Sequence, residues 1–426
     1  MKVLIVTLGS RGDVQPYVAL GKGLSAAGHE VTICTSALYQ PLVTHHGLHY
    51  GYMNNGLIQL IDSDVGREAI ENTDTLWGTI RTTFKLFKQV KPMLRQTLYD
   101  IWETAQAVDP DVIMMASKAT ILAESIADKQ EIPLLMSMPF PQFVPSAQVP
   151  SMGFPDLKLG GWYNRLTYRI VHWAVGLYGG IPREFRRTVL QLPPKPKHLG
   201  MLYRADGSLI PQLHCYSEQV LPRPADWPSS AYVSGYWFLN APDWQPPAPL
   251  KAFLDAGEPP VYIGFGSMAG RHPQRLAKIA IEALQITQQR GILATGWGGL
   301  AASHLPKTIF KLDQAPHSWL FPRVSAVVHH GGAGTTAAGL RAGRPTLICP
   351  FFGDQPFWGR RVQALGVGPK PIPQKRLTVA NLAQAIHEIS SNLTLRTEAN
   401  RLGEKIRAED GVGNAIATIT ALINDN

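Results

Sequence analysis

Two apolar segments place the strongest limit on the fold of this chain. The segments "KVLIVTL" at residues 2–8 and "VYIGFGS" at residues 261–267 are rich in β-branched and aliphatic residues, and each leads into a glycine-containing turn. A short, continuous apolar run of this kind is typical of a strand that is buried on both faces of a parallel sheet. A helical pattern follows each of them. The sequence therefore predicts an α/β fold with two doubly wound sheets.

A βαβ unit opens the chain. The apolar positions of residues 17–28 repeat with a helical period, and a strand pattern follows at residues 30–36. Because the same alternation returns further on, we predict a first sheet with strands at 2–8, 30–36, 109–117 and 132–138. Residues 139–200 mix proline, tryptophan, tyrosine and arginine, and we predict helical insertions above the sheet there.

The length of 426 residues exceeds what one ordinary core accommodates, so we predict two domains. Residues 239–260 contain many prolines, whose fixed φ favours an extended connector. We therefore predict an N-terminal domain at 1–238, a linker at 239–260 and a C-terminal domain at 261–426, whose terminal helices can pack back onto the N-terminal domain. Two Rossmann-like halves would create a cleft where the carboxyl ends of the strands meet.

The composition excludes several classes of protein. Hydrophobic residues make up 45% of the chain and charged residues 17%, which is typical of a globular protein. No apolar run approaches the roughly 20 residues of a membrane span, and the first residues lack the apolar core of a secretory signal. Cys34, Cys215 and Cys349 are far apart and odd in number, which favours reduced thiols. We therefore expect a cytoplasmic protein.

The formal net charge of +9 narrows the possible partners. Such a surplus suits an acidic ligand or an anionic membrane, so a peripheral contact with such a membrane is compatible with the sequence. The basic residues are dispersed along the chain and no nucleic-acid motif accompanies them. We therefore expect no nucleic-acid partner.

The segment at residues 324–343 combines a strand, a glycine turn and a helix. "VSAVVHH" predicts a strand that ends in two histidines, "GGAG" at 331–334 predicts a turn, and a helix is expected from about Thr335 to Gly343. The free amides and the positive end of a helix dipole favour an anion at such a turn, so this pattern is typical of a diphosphate site. His330, Thr335 and Thr336 can add donors. Close packing of helix and strand is the alternative explanation of the glycines.

Four segments resemble the GT-B glycosyltransferases of the UDP-glycosyltransferase superfamily, glycosyltransferase family 1. These are "GSRGDVQPYVALGKGLSAAGHEVTI" at 9–33, "GFGSM" at 264–268, "HHGGAGTTAAGLRAG" at 329–343 and "PFFGDQPFWG" at 350–359. The resemblance is strongest to sterol 3β-glucosyltransferases and related bacterial enzymes that glycosylate lipophilic natural products. It implies two Rossmann-like domains that face each other across a cleft, a nucleotide sugar as donor, inversion at the anomeric carbon, and no metal or other cofactor.

The resemblance also assigns roles to residues. His330, with the backbone of residues 332–335, would hold the diphosphate and neutralise the charge that grows on departing UDP. Asp354 and Gln355 would bind the sugar hydroxyls, which favours glucose. The donor-binding residues that the resemblance implies are Ser267, Trp297, Ala315, His317, His330, Gly332, Gly334, Thr335, Asp354 and Gln355, with Ser10, Arg11 and Gly12 as a donor loop from the N-terminal domain.

Three of these assignments concern the nucleotide itself. Ser267 matches a phosphate-contacting serine, while the backbone near Ala315 and the side chain of His317 match a segment that contacts uracil. Trp297 would lie near the uridine, although a packing aromatic is nearly as good an explanation. No role is assigned to His329.

A reaction of this type needs a general base for the acceptor hydroxyl. Asp13 follows the first strand, and in the branch of the superfamily that modifies antibiotics an aspartate in this motif has that role. The alternative is that Asp13 caps a helix beginning near Val14 or pairs with Arg11. The acceptor would be lipophilic, such as a sterol, a terpenoid or a polyketide, and residues 138–155 and 162–187 could form its pocket.

The same residues argue against two other enzyme classes and leave a binding protein as an alternative. A dinucleotide-dependent oxidoreductase lacks its glycine and acidic pattern here. A metal-dependent glycosyltransferase would use Asp109 and Asp111, which precede their strand and are better explained as a turn. A non-catalytic protein that binds sugar nucleotides or lipids, or an enzyme that uses another nucleotide sugar, remains open. His45, His46 and His49 lack convincing metal spacing and are predicted to be surface loop residues.

Overall fold

The computed structural model describes residues 1–62, 76–116, 122–265, 273–294 and 305–424. The chain divides into two compact units. One comprises Met1–Glu218, Pro222–Phe238 and Asp410–Asn426, and the other comprises Gln219–Leu221 and Leu239–Glu409. The main passage from the first unit to the second lies between Phe238 and Leu239.

The first unit contains, within the described residues, a sheet of seven parallel strands in the order β3-β2-β1-β4-β5-β6-β7. Its strands are β1 (Lys2–Val6), β2 (Glu30–Ser36), β3 (His49–Met53), β4 (Val112–Ala116), β5 (Leu134–Met138), β6 (Gln212–His214) and β7 (Ala231–Val233). Val3 to Val6 of β1 are at most 1% exposed, so this strand is buried on both faces. The predicted doubly wound parallel sheet is confirmed.

The second unit contains a parallel sheet with the order β10-β9-β8-β11-β12 among the residues that the structure describes. Its strands are β8 (Val261–Gly264), β9 (Gly291–Ala294), β10 (Ile309–Leu312), β11 (Ala326–His329) and β12 (Thr346–Ile348). In both sheets the strand order reverses beside the first strand, at β1–β4 and at β8–β11. Ligands of open α/β sheets bind at the carboxyl ends of the strands at such a reversal.

Helices connect the strands of both sheets. In the first unit they are α1 (Arg11–Ala26), α2 (Gln40–His45), α3 (Gly56–Asp62), α4 (Leu76–Val108), α5 (Glu124–Gln130), α6 (Gly161–Gly176), α7 (Gly180–Thr188) and the C-terminal α15 (Gly411–Asn424). In the second unit they are α8 (Ala248–Asp255), α9 (Pro273–Ile286), α10 (His317–Leu320), α11 (Ala333–Arg341), α12 (Gln355–Ala364), α13 (Val379–Ser391) and α14 (Leu393–Ala408).

Several elements differ from the sequence prediction. Helix α1 begins at Arg11 rather than at residue 17, because Ser10 and Asp13 form a capping box, and Pro16 is accommodated inside the helix. Residues 239–260 were predicted as an extended connector but contain α8, whose Leu250 is fully buried in the second unit. His45 ends α2 and His49 begins β3, so these exposed histidines lie on regular elements instead of a loop.

The C-terminal helix α15 packs within the first unit. A Cβ on Gly23 of α1 would lie 2.4 Å from Val412 Cγ1, and the Asn414 amide donates to the Ser234 carbonyl at 3.1 Å. The indole of Trp237 donates to the carbonyl of Gly411 at 3.1 Å. The C-terminal helix thus packs against α1 and against residues 234–237, although these segments are far apart in the sequence.

Gly411 makes the tightest of these contacts, and its substitution tests them. A Cβ at Gly411 would lie 2.3 Å from the carbonyl oxygen of Tyr236, which is backbone and cannot rotate away. We expect Gly411→Ala to lower the free energy of unfolding by about 1–3 kcal/mol, as overpacked sites do, and the melting temperature by several degrees. Circular dichroism during heating measures both. Gly180→Ala is the control, because nothing lies within 4 Å of its added Cβ. Equal melting temperatures for the two variants would contradict this packing.

Candidate active site

The strand-order reversal of the second sheet positions the predicted diphosphate residues. His329 at the end of β11 pairs in register with Gly264 at the end of β8. Ser267 follows β8 in the sequence and Trp297 follows β9, and both lie outside the described residues. Their predicted roles stay predictions. The loop that follows β11 is described in full and begins with His330.

His329 is a structural part of this loop, which the sequence analysis missed. It is fully buried, and its Nδ1 accepts a hydrogen bond of 3.0 Å from the amide of Gly331. Burial lowers the pKa of His329 well below its ordinary value, and the neighbouring rings of His330 and His317 lower it further. The imidazole is therefore neutral at neutral pH and fixes the start of the glycine turn.

His330 follows His329 and is the residue to which the sequence analysis assigns diphosphate binding. Burial lowers its pKa to about 4, so its imidazole is also neutral at neutral pH. Its Nδ1 is buried and has no hydrogen-bond partner among the described residues. Any stabilisation of phosphate charge by His330 would therefore start from a neutral ring. A neutral ring can instead donate one hydrogen bond to an oxygen of the ligand.

Glycines 331 and 332 each have a steric reason to lack a side chain. Gly331 has φ +99°, a conformation that favours glycine, and a Cβ there would lie 2.6 Å from Ile348 Cγ2. A Cβ on Gly332 would lie 2.7 Å from Nε2 of His330. The imidazole therefore lies directly against the backbone at the start of α11. Close approach of the ring to the helix start requires these glycines.

Helix α11 begins at Ala333, two residues earlier than predicted. Its first hydrogen bond of helical spacing runs from the Thr336 amide to the Gly332 carbonyl at 2.9 Å, so the preceding amides lack an intrahelical acceptor. The hydroxyl of Thr336 donates to the same carbonyl at 3.0 Å and is buried, which removes it from the predicted ligand donors. Thr335 is half-buried, and nothing lies within 4 Å of a Cβ placed on Gly334. The helix start therefore presents backbone amides beside open space.

Asp354 is the N-cap residue of α12 and Gln355 is its first residue. The side chains of both already accept hydrogen bonds from nearby groups of the protein. Oδ2 of Asp354 accepts from the indole Nε1 of Trp358 at 3.0 Å. Oε1 of Gln355 accepts from the amides of Phe351 at 2.7 Å and Phe352 at 3.2 Å. These bonds fix the orientation of both side chains. The role of Trp358 was not predicted, although its spacing of four residues from Asp354 in "DQPFW" is a signal for it.

The glycine turn after His330 and the start of α12, to which the sequence analysis assigns the diphosphate and the sugar, are in contact. A Cβ on Gly331 would lie 3.2 Å from both the Cβ and the carbonyl oxygen of Gln355. The glycine turn therefore packs directly against Gln355, the first residue of α12. Ala315 and His317 follow β10 in the same unit, where His317 stacks on Phe321 with ring centroids 4.3 Å apart.

The strand-order reversal of the first sheet positions Asp13. Oδ2 of Asp13 accepts from the amide of Ser10 at 2.7 Å and from its hydroxyl at 2.9 Å. Asp13 thus takes part in helix capping, as the alternative explanation expected, but it does so as the third residue of a helix that begins at Arg11 and not near Val14. Asp13 is only partly buried, so its carboxylate is accessible to solvent as well as engaged with Ser10. Ser10, Arg11 and Gly12 are exposed around it, and Arg11 donates to Gln15 at 3.2 Å.

The Asp109–Asp111 pair is a turn, as the sequence analysis favoured. Asp109 has φ +50°, and Oδ2 of Asp111 accepts from the backbone amide of Lys2 at 2.7 Å. Within the described residues, no cluster of three or more His, Cys, Asp or Glu side chains could hold a metal ion. None of the described helices combines the length and the hydropathy needed to cross a bilayer.

Two family models match separate parts of the chain. Residues 3–149 match the glycosyltransferase family 28 N-terminal domain. Residues 297–421 match the Erythromycin biosynthesis protein CIII-like, C-terminal domain. The first range contains the Asp13 loop, and the second contains the glycine turn and α12.

Curated relatives match almost the whole chain. A sterol 3-beta-glucosyltransferase from Arabidopsis thaliana is 35% identical over 437 aligned positions, which cover 98% of this chain and 64% of the relative. A sterol 3-beta-glucosyltransferase from Aspergillus terreus is 37% identical over 98% of this chain and 30% of its own length. The chain thus spans less than two thirds of the length of these relatives.

Solved structures support the same fold. The calicheamicin glycosyltransferase CalG4 superposes with a TM-score of 0.69 at 16% identity and covers 99% of this chain and 98% of its own. The spinosyn rhamnosyltransferase SpnG, complexed with thymidine diphosphate, gives a TM-score of 0.66 at 17% identity, with 99% of this chain and 100% of its own covered. The chain therefore has the fold of the GT-B glycosyltransferases, and it is similar to sterol 3-beta-glucosyltransferases over 98% of its length.

Proposed function

We propose that this protein transfers glucose from UDP-glucose to the hydroxyl of a sterol, with inversion at the anomeric carbon and without a metal ion. The observation that carries the proposal is the glycine turn at residues 330–334, which places the His330 ring and the free amides of α11 at the strand-order reversal of the second sheet. The names of the curated relatives support the sterol and the glucose.

The turn supplies the leaving-group chemistry. As the bond between C1 of the sugar and the phosphate oxygen breaks, the electron pair and negative charge move to UDP. Amides at the start of α11 and the N–H of His330 would donate to those oxygens, and donors that are fixed in advance need no reorganisation as the charge develops. Asp354 and Gln355, held by Trp358 and by the loop amides, would hold the sugar hydroxyls.

The acceptor chemistry is assigned to Asp13 of the first unit. The acceptor oxygen forms the new bond to C1 on the face opposite the departing phosphate, and its proton passes to the Asp13 carboxylate. An α-linked donor would then give a β-glucoside. The bonds from Ser10 hold the Asp13 carboxylate in place, which a positioned base requires.

A transfer assay tests the proposed function directly. We expect a product whose mass equals sterol plus one hexose when the protein is incubated with UDP-glucose and cholesterol or ergosterol, and a β-linkage by nuclear magnetic resonance. The product should form equally in the presence of a chelator. Binding of UDP-glucose without any product across sterols, terpenoids and polyketides would favour a binding protein instead. Transfer from another nucleotide sugar at a higher kcat/KM would correct the donor.

His330 should make donor binding depend on pH. Burial in the protein lowers the pKa of the His330 ring to about 4. An adjacent diphosphate would favour the protonated ring and raise that pKa. Affinity for UDP-glucose should therefore rise as the pH falls from 7 toward 5, with proton uptake measurable by calorimetry in buffers of different ionisation enthalpy. His330→Asn keeps a donor that does not titrate, so its affinity should not vary with pH. The hypothesis fails if that variant keeps the pH dependence.

Removal of the Asp13 charge should separate catalysis from folding. Asp13→Asn retains an oxygen that can accept from Ser10, so we expect little change in melting temperature or in UDP-glucose affinity. The kcat for transfer should fall by about 10²- to 10⁴-fold, the usual contribution of a general base. Asp111→Asn is the matched control, because that carboxylate also accepts from a backbone amide at 2.7 Å but precedes its strand. Similar kcat values for the two variants would rule out Asp13 as the base.

A further inference from the structure

Helix α6 packs on the protein through one face and exposes a second face, which is apolar. Its inner face contains the buried residues Asn164, Thr167 and Tyr168, with Val171 and Val175 packed on the core of the first unit. A surface helix normally has one apolar stripe, which faces the core. The second face of α6 therefore has no explanation in the folding of this unit.

Hydrogen bonds fix the orientation of α6. Asn164 donates to the carbonyl of Ala147 at 2.7 Å, and the hydroxyl of Thr167 accepts from the amide of Ser151 at 2.8 Å. Tyr168 donates to the carbonyl of Val149 at 3.2 Å. Three inner side chains thus bind one segment, 147–151. The helix cannot turn its outer face inward without breaking these bonds.

The outer face of α6 is a continuous apolar strip. Its residues follow the spacing of one helix face, which is i, i+4, i+8, i+11 and i+15. Two exposed leucines that precede the helix in the sequence, Leu157 and Leu159, are counted with this face. The members of this outer face are Leu157, Leu159, Trp162, Leu166, Ile170, Trp173 and Leu177, with exposures of 51%, 49%, 65%, 39%, 42%, 67% and 47%. Scattered exposed apolar residues are ordinary, but a contiguous strip marks a binding surface.

Basic side chains border this strip, whereas acidic ones are absent from its sequence. Residues 157–183 contain no aspartate or glutamate. Arg169 is exposed on α6, and Arg183 and Arg187 are exposed on the following helix. Lys158 pairs with Asp156 at 2.7 Å, and Arg165 lies 3.8 Å from Asp226 while its side chain remains 60% exposed. Basic residues thus outnumber acidic ones in the sequence around the outer face, with Asp156 and Asp226 offsetting part of the charge.

We propose that the outer face of α6 docks on the surface of an anionic lipid bilayer, with the helix axis in the membrane plane. The aliphatic side chains would enter the boundary between headgroups and acyl chains, and the two indoles, apolar with a polar N–H, suit that boundary. The bordering arginines and Lys158 would meet lipid phosphates. Positive charge around an apolar strip is complementary to this surface, and the net charge of +9 adds long-range attraction. The proposal does not depend on glycosyl transfer.

Co-sedimentation of the full chain with vesicles tests the proposal. The vesicles are phosphatidylcholine alone, or phosphatidylcholine and phosphatidylserine at a ratio of about 7:3. The wild-type chain should bind the anionic vesicles and release at high salt. The double variant Trp162→Ser with Trp173→Ser should bind about tenfold more weakly or worse, because it loses most of the inserted apolar area.

The matched control changes two apolar residues of the second unit that are about as exposed as the two tryptophans. Ile286 is 65% and Leu393 is 72% exposed, against 65% for Trp162 and 67% for Trp173. Ile286→Ser with Leu393→Ser should bind vesicles like the wild-type chain. All variants should share its melting temperature, since the changed side chains face outward. Should the tryptophan variant misfold, Lys158→Glu with Arg169→Glu provides a second test and should lose about fivefold in binding for each charge removed.

Three outcomes would overturn the proposal. The first is equal binding of wild type and both outer-face variants to anionic vesicles. The second is no binding of the wild-type chain to anionic vesicles, or equal binding to neutral ones. The third is a wild-type dimer in sedimentation velocity that the tryptophan variant converts to monomer without a change in vesicle binding, because a second copy of the chain would then cover this face.

Discussion

Strands β1 and β8 are buried on both faces in the interior of their sheets. A ligand can therefore reach only the residues at the ends of these strands. All their neighbours run parallel, and every loop that leaves the carboxyl edge of a sheet therefore emerges on the same side. The strand order reverses next to each of these two strands, which separates the following helices and leaves a crevice. The Asp13 loop and the His330 loop each occupy such a position. The placement of both loops is thus a consequence of burying two apolar strands.

The sequence predicted these elements well because their signals are local. Continuous β-branched runs predicted the central strands, and glycines predicted the turn after His329. Element ends were less predictable, since they depend on side-chain bonds. Helix α1 starts at Arg11 because Asp13 accepts from Ser10, and α11 starts at Ala333 because Gly332 supplies the first acceptor. Short strands such as β6 and β7 have weak patterns, and their pairing comes from tertiary contacts.

The sequence predicted which residues form the candidate site, but it did not predict their protonation states. Motif and resemblance pointed to His330, yet its neutral state depends on burial, which a sequence pattern does not show. Likewise His329 looked dispensable beside His330, whereas its Nδ1 anchors Gly331. Both features arise from the depth of the β11 end in the second unit. A residue type predicts which atoms are available, but the surrounding dielectric and the existing bonds decide which of them can serve a ligand.

Several polar residues at these loops share one arrangement, in which part of the side chain is bound by the protein. Oδ2 of Asp354 holds Trp358, Oδ2 of Asp13 holds Ser10, and Oε1 of Gln355 holds two loop amides. Such bonds set the rotamer of each group and lower the entropy lost when a ligand arrives. They also explain why capping and catalysis need not be competing interpretations of one aspartate. A carboxylate whose orientation is already set is better prepared to act than a freely rotating one, because its position no longer has to be found during the reaction.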